Sequence, residues 1–199
     1  MKRKSFLTLT AVLAAVVSAC GSGGSGKATT SDNDSGGNTM TIITSDDLLI
    51  FGLGGSGMAT IAWGNQKETA ELSDDYVWLS IEIPDINSRT ITITGNIIGF
   101  DCAWGGFTEI DVSKSSALTN LNLTANLLKR LDLSKNSALK YVDIKANQFT
   151  AAELNNMFGT LHGRGGTIVI AYNPGTDDCK KSIAEAKGWV VETTEPEEH

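Results

Sequence analysis

Gly52-Leu53-Gly54-Gly55-Ser56-Gly57 follows an apolar run and fits the spacing of a dinucleotide-binding loop. That chemistry needs a helix to begin at once, so that its N-terminal N–H groups can hold a pyrophosphate. The residues that follow, Met58 to Trp63, alternate as a strand, and the motif reads as a glycine-rich hairpin loop. Asp32-Asn33-Asp34-Ser35-Gly36 opens like a calcium loop, but the closing position, which needs a bidentate glutamate, is Ile43. Asp111 and Asp132 occupy equivalent places in a repeat and would stand roughly 5 Å apart in a sheet. A retaining glycosidase spaces its carboxyls similarly, yet exposed repeat aspartates explain the pair more simply. His199 is terminal, and His162 follows a helix, where its charge favours the C-terminal dipole. With no GxSxG elbow, Walker loop or metal-spaced His/Cys set, the expectation is a non-enzyme without cofactor or metal.

The elements that would position a binding surface are clearer. Leu118, Leu121, Leu123, Asn126 and Leu128 recur 21 residues on as Leu139, Val142, Ile144, Asn147 and Phe149. The apolar pairs Phe100/Cys102, Ile110/Val112, Leu121/Leu123, Leu131/Leu133 and Val142/Ile144 advance by 10 or 11 residues. This period predicts a two-sided solenoid, with segments from Phe100, Leu121 and Val142 in one parallel sheet and those at Ile110 and Leu131 on the other side. Asn126, Asn136, Asn147 and Asn173 should point inward and satisfy backbone groups at the bends. Outward positions then supply the candidate binding surface: Asn120, Asn122, Thr124, Tyr141, Asp143 and Lys145 on one side, Arg130 and Asp132 on the other. Trp104, beside Gly105-Gly106, either joins that surface or covers a junction between modules, and the second is favoured.

Leu131-Asp132-Leu133-Ser134-Lys135-Asn136-Ser137-Ala138-Leu139 resembles the core of short, 21-residue leucine-rich repeats in surface lipoproteins of anaerobic gut bacteria. Asn147-Gln148-Phe149-Thr150, Asn173-Pro174-Gly175-Thr176-Asp177 and Ala186-Lys187-Gly188-Trp189 match the endings of such chains. The resemblance spans about Phe100 to Val191 and implies a surface-binding role. Thr150 can N-cap a helix with Glu153 three residues on, a strand should follow at Thr167–Asn173, and a last helix is predicted over Asp178–Lys187 as the cap's close.

Residues 40–96 read as an antiparallel β-sandwich. Candidate strands are Thr41–Thr44, Leu48–Leu53, Met58–Trp63, Lys67–Leu72, Val77–Ile83 and Arg89–Thr94. Gly55 to Gly64 resembles the strand-and-turn element of PKD-like, immunoglobulin-like modules of bacterial surface proteins, with Ala62 and Asn65 where those usually carry aspartates.

Lys2, Arg3 and Lys4 precede an apolar run from Phe6 to Val17. Such a run spans about 18 Å as helix, short of a hydrocarbon core of roughly 30 Å, so residues 1–19 read as a cleaved leader. Val17-Ser18-Ala19-Cys20 resembles a lipobox, which implies acylation of Cys20. Residues 20–39 carry six glycines and read as a flexible tether; residues 193–199 read as a disordered tail. Loss of the leader removes three positive charges and no negative one, taking the net charge from −7 to −10, which argues against nucleic acid as a partner. Cys102 and Cys179 are expected as free, buried thiols.

The expected fold is therefore mostly β with some α: a β-sandwich at 40–96, then a short leucine-rich-repeat solenoid with a helical C-terminal cap at 97–192. The expected function is a non-catalytic, lipid-anchored cell-surface protein for protein–protein or host and matrix contact. The alternative is a glycan-binding accessory lipoprotein. Its predicted location is the cell envelope, at the outer membrane and facing outward.

Overall fold

The computed structural model describes residues 38–194; the leader, Cys20, most of the tether, the Asp32–Gly36 motif and the last five residues lie outside them. The predicted sandwich-plus-solenoid architecture is overturned. The described residues form one mixed sheet of ten strands with two short helices, and no solenoid. No helix among them is long and apolar enough to cross a membrane.

The strands are β1 Thr39–Thr44, β2 Leu48–Trp63, β3 Gln66–Leu72, β4 Val77–Glu82, β5 Thr90–Asp101, β6 Phe107–Asp111, β7 Asn120–Asn122, β8 Tyr141–Asp143, β9 Gly166–Val169 and β10 Trp189–Glu192. Helices α1 (Ala151–Thr160) and α2 (Ser182–Glu185) interrupt the last three. Strand β5 is what removes the boundary expected near residue 96. Over Thr90–Thr94 it pairs antiparallel with β1, and β2 runs antiparallel along most of its length. Its end, Gly99–Asp101, pairs parallel with β7, and from there β7, β8, β9 and β10 follow in parallel order. Alternation explains the strand: Ile91 and Ile93 are fully buried, while Thr90 and Thr94 face outward.

Two features were hidden by local chemistry. The glycine-rich segment is no hairpin loop but the middle of the 16-residue β2. Glycine is required there because β2 and β5 approach closely: a Cβ on Gly55 would lie 2.2 Å from the Asn96 carbonyl oxygen. The second side of the solenoid also fails to form. The segment at Ile110 lies in β6, which joins β1 antiparallel, and Leu131–Leu133 forms no strand.

The 21-residue period has a different physical origin. Asp101, Asp111, Asn122, Asp132 and Asp143 each accept a hydrogen bond from the backbone N–H two residues later, an Asx turn that ends each short extended segment. At alternate bends, Trp104, Ala125, Ala146 and Tyr172 then adopt positive φ. Their amides hold neighbouring bends in line: Trp104 N–H donates to Thr124, Ala125 to Lys145 and Ala146 to Ala171. Inside these bends sit the buried asparagines. Asn126 accepts from the Gly105 and Phe107 amides and donates to the Cys102 and Leu123 carbonyls. Asn147 does the same with the Leu128 amide and the Leu123 and Ile144 carbonyls, and Asn173 with Phe149, Ile144 and Ile170. Asn136 donates to the Val112 and Ser115 carbonyls, while its own oxygen is buried without a partner.

The C-terminal part is held by caps. Thr150 accepts from the Glu153 N–H at the start of α1, whose Leu154, Met157 and Phe158 are buried. The Lys187 ammonium donates to the Phe158, Gly159 and Leu161 carbonyls at its other end. The predicted last helix shrinks to four residues of α2, with turns on either side. His162 accepts the Arg164 N–H on Nδ1, which leaves Nε2 to donate to the Leu139 carbonyl at 2.8 Å; it is a buttress packed near Trp189 rather than a dipole charge.

Asn126→Ala should lower unfolding free energy by about 2–4 kcal/mol, because it strands several buried backbone groups; urea denaturation would measure this, with the exposed Gln148→Ala as the neutral control. Gly55→Ala should cost at least ~2 kcal/mol from the clash with β5. Gly159→Ala, at an open position of α1, should gain roughly 0.5–1 kcal/mol.

Candidate binding surface

The side of the sheet opposite the core carries four of the predicted surface residues, Asn120, Asn122, Tyr141 and Asp143, in two ladder rows. One row is Gly99, Asn120, Tyr141 and Thr167, and the next is Asp101, Asn122, Asp143 and Val169. Between the rows, Phe100, Leu121, Val142 and Ile168 point inward and are fully buried, and Val169 at the β9 end of the second row is covered as well. The rows continue onto β2 as Gly54 and Gly52, and then Gly52 pairs with Trp78 on β4.

Within the rows the polar groups hold one another. Asn122 Nδ2 donates to Asp101 Oδ2 at 3.2 Å, and Asn122 Oδ1 accepts the Thr124 amide. Asp143 is only 5% exposed; it accepts the Lys145 amide and the Tyr141 hydroxyl, with the Lys145 ammonium at 3.8 Å. Burial and the Asp143 charge push the Tyr141 phenol up to about 12, so it remains a donor. Burial, then the charge of Asp143, raises the Asp101 carboxyl, although hydrogen bonds from Asn122 and Ala103 oppose this. Thr124 Oγ1 is buried without a hydrogen-bond partner.

Arg130 and Asp132 are not brought to this face. They line a groove of about 430 Å³ with Thr41, Ile43, Ile110, Leu131 and Met157. Arg130 pairs with Glu109 at 3.4 Å, an exposed ion pair of little energetic weight. Asp111 lies in the same groove, its carboxyl held below the usual range by hydrogen bonds from the Ser113 hydroxyl and amide. The Asp111/Asp132 pair is thus engaged in turn formation. Trp104 does not cover a junction; it is 78% exposed.

Residues absent from the sequence-based surface complete the face. Trp78 is 59% exposed and lies over Gly52, while Tyr76 lies across Gly52, Gly54 and Gly99. A Cβ on Gly99 would fall 2.5 Å from the Tyr76 hydroxyl, so glycine is what lets the ring lie down. The two rings are 6.4 Å apart and tilted by 33°. Burial and the Asp101 charge raise the Tyr76 phenol. A signal for Trp78 existed: in Val77-Trp78-Leu79-Ser80-Ile81 it occupies an outward position beside Ser80. Tyr172, 66% exposed, shares with Trp104 a bend position of positive φ.

Cys102 and Cys179 are free; Cys102 is buried with its thiol pushed up by desolvation, and Cys179 is half-buried. Among the described residues no cluster of His, Cys, Asp or Glu could hold a metal ion. Comparison with protein-family models, curated proteins and solved structures finds no match.

Because the folded-state pKa of Asp101 is raised, the unfolded chain releases this proton first as pH climbs. Stability from this site is full at low pH and falls through the carboxylate range. Asp101→Asn, which keeps an acceptor for Asn122, should therefore raise Tm at about pH 7 and leave it nearly unchanged at about pH 3. Thermal melts across that range would show the difference.

Proposed function

We propose that this chain is a non-catalytic, lipid-anchored protein of the cell surface that works by binding, with the outer face of the sheet as its docking surface. The observation that carries this reading is the set of exposed aromatics at the margins of that polar face: Trp78 at 59%, Trp104 at 78% and Tyr172 at 66% exposure. Large aromatic side chains left in water supply contact area at little conformational cost, which is why they recur as anchors in recognition. Trp104 and Tyr172 also hold positive φ, where a bulky residue is disfavoured, at bends that glycine would fill without strain.

The anchor rests on Cys20 and its lipobox-like context, and the resemblance of Leu131–Leu139 to surface lipoproteins of gut anaerobes supports the same location. Several acyl chains at about 0.8 kcal/mol per buried methylene would hold the chain firmly, and its acidity suits a crowded surface. The partner is a protein of the host or matrix, or a glycan. Exposure of Trp104 favours the glycan, since that reading requires an accessible aromatic platform.

Cys20→Ser should move the protein from the membrane fraction to the soluble fraction and abolish labelling by a palmitate analogue; continued membrane retention would contradict the anchor. Trp78→Ala combined with Trp104→Ala should weaken retention on host-matrix or glycan surfaces by about tenfold or more, equivalent to roughly 1.4 kcal/mol, with the melting temperature unchanged. Undiminished retention would rule out this face as the docking surface.

A further inference from the structure

We propose that the ligand is a neutral oligosaccharide chain, bound across the strands with one sugar ring on the Tyr76–Trp78 platform and its hydroxyls on Asp101, Asn122 and Asn120. This rests on the reading of the outer face as the docking surface, and it names the ligand's chemistry.

The argument begins with shape. Gly52, Gly54 and Gly99 contribute no side chains, so Tyr76 and Trp78 lie down on the sheet instead of standing on it. Protein hot-spot anchors insert into pockets; rings laid on a glycine floor present a shallow apolar step. The C–H face of a pyranose is apolar with a slight positive charge, and it complements the negative face of an aromatic ring.

Beside the rings the polar groups have matching valence. Asp101 offers carboxylate acceptors to hydroxyl donors, and charge-assisted bonds of this type are about twice as strong as neutral ones. Asn122 already donates to Asp101, so its amide holds the carboxylate in place. Asn120, one ladder position away and exposed, provides a free-facing amide able to donate and accept. From Trp78 on β4 through β2, β5 and β7 to Tyr141 on β8 is four strand spacings, about 19 Å. A strip of that length suits a chain of several sugars and exceeds a single small molecule.

Charge selects among glycans. Asp101 and Asp143 stand in the same row with Asn122 between them, and each carboxylate raises the cost of a further negative charge nearby. Uronate-bearing or sulfated chains are therefore disfavoured on this face.

The test uses the full chain with short neutral gluco-, xylo- and manno-oligosaccharides, and with oligogalacturonate and heparin fragments as anionic probes, read by calorimetry and by tryptophan fluorescence. At least one neutral series should bind, Trp78→Ala and Asn122→Ala should each weaken it about tenfold or more, and the anionic probes should bind at least tenfold more weakly. Asn122→Ala guards against a fluorescence change caused only by removing the indole. If no neutral series binds, the inference is overturned. If in that case Trp78→Ala/Trp104→Ala still abolishes retention on a protein matrix, the docking-surface reading survives without the glycan. Neutral binding untouched by Trp78→Ala, or equal binding of anionic probes, also overturns the inference.

Discussion

The close approach of β2 to β5 holds the whole sheet together. Gly55 lies where the two strands leave no room for a Cβ, Gly95 where a Cβ would be tightly crowded by Ala59, and this contact lets β2 run the length of β5 through two register shifts. One long strand can then carry antiparallel partners at its start and a parallel partner at its end. The same tract leaves Gly52, Gly54 and Gly99 bare on the outer face, where Tyr76 and Trp78 lie down. A single compositional choice thus sets both the continuity of the sheet and the character of its surface.

The parallel strands beyond β5 are too short to hold themselves together by ladder bonds alone. β7 and β8 have three residues each, and a backbone group without a partner at each bend would cost about 1–3 kcal/mol. Buried asparagine amides supply those partners, each linking its own bend to the one before it. Asx turns set the bend positions, and Lys187 closes the open carbonyls of α1. The outer rows inherit their regular spacing from these internal bonds, so the surface geometry is fixed from the inside.

Much of this was legible in the sequence, and the failures have physical causes. The buried Phe100, Leu121 and Val142 follow the 21-residue period, as do the inward asparagines, because burial and amide bonding act locally. The architecture did not follow. The pattern at Ile110 and Leu131 specifies burial without specifying a strand partner, and β1 claims β6 from more than 60 residues away. Gly52–Gly57 carries a loop's composition inside a strand, because its glycines answer to β5, which sequence spacing cannot reveal. Its place beside Gly105-Gly106 favours Trp104 as cover for a junction between modules; the left-handed bend instead leaves it in solvent. The period places Arg130 and Asp132 on a second sheet opposite Asn122 and Asp143, and because that sheet does not form they line a separate groove. Sequence reasoning misses Trp78 and Tyr76 because their importance comes from glycines on two other strands, Gly52 and Gly54 of β2 and Gly99 of β5.

Aromatic rings lying on a glycine floor formed by two strands should be visible in proton NMR of the full chain. The Hα resonances of Gly52 and Gly99 should be ring-current-shifted upfield, with cross-relaxation from Gly52 to both the Tyr76 and Trp78 rings. Ordinary strand values at both glycines, with no such cross-relaxation, would contradict it.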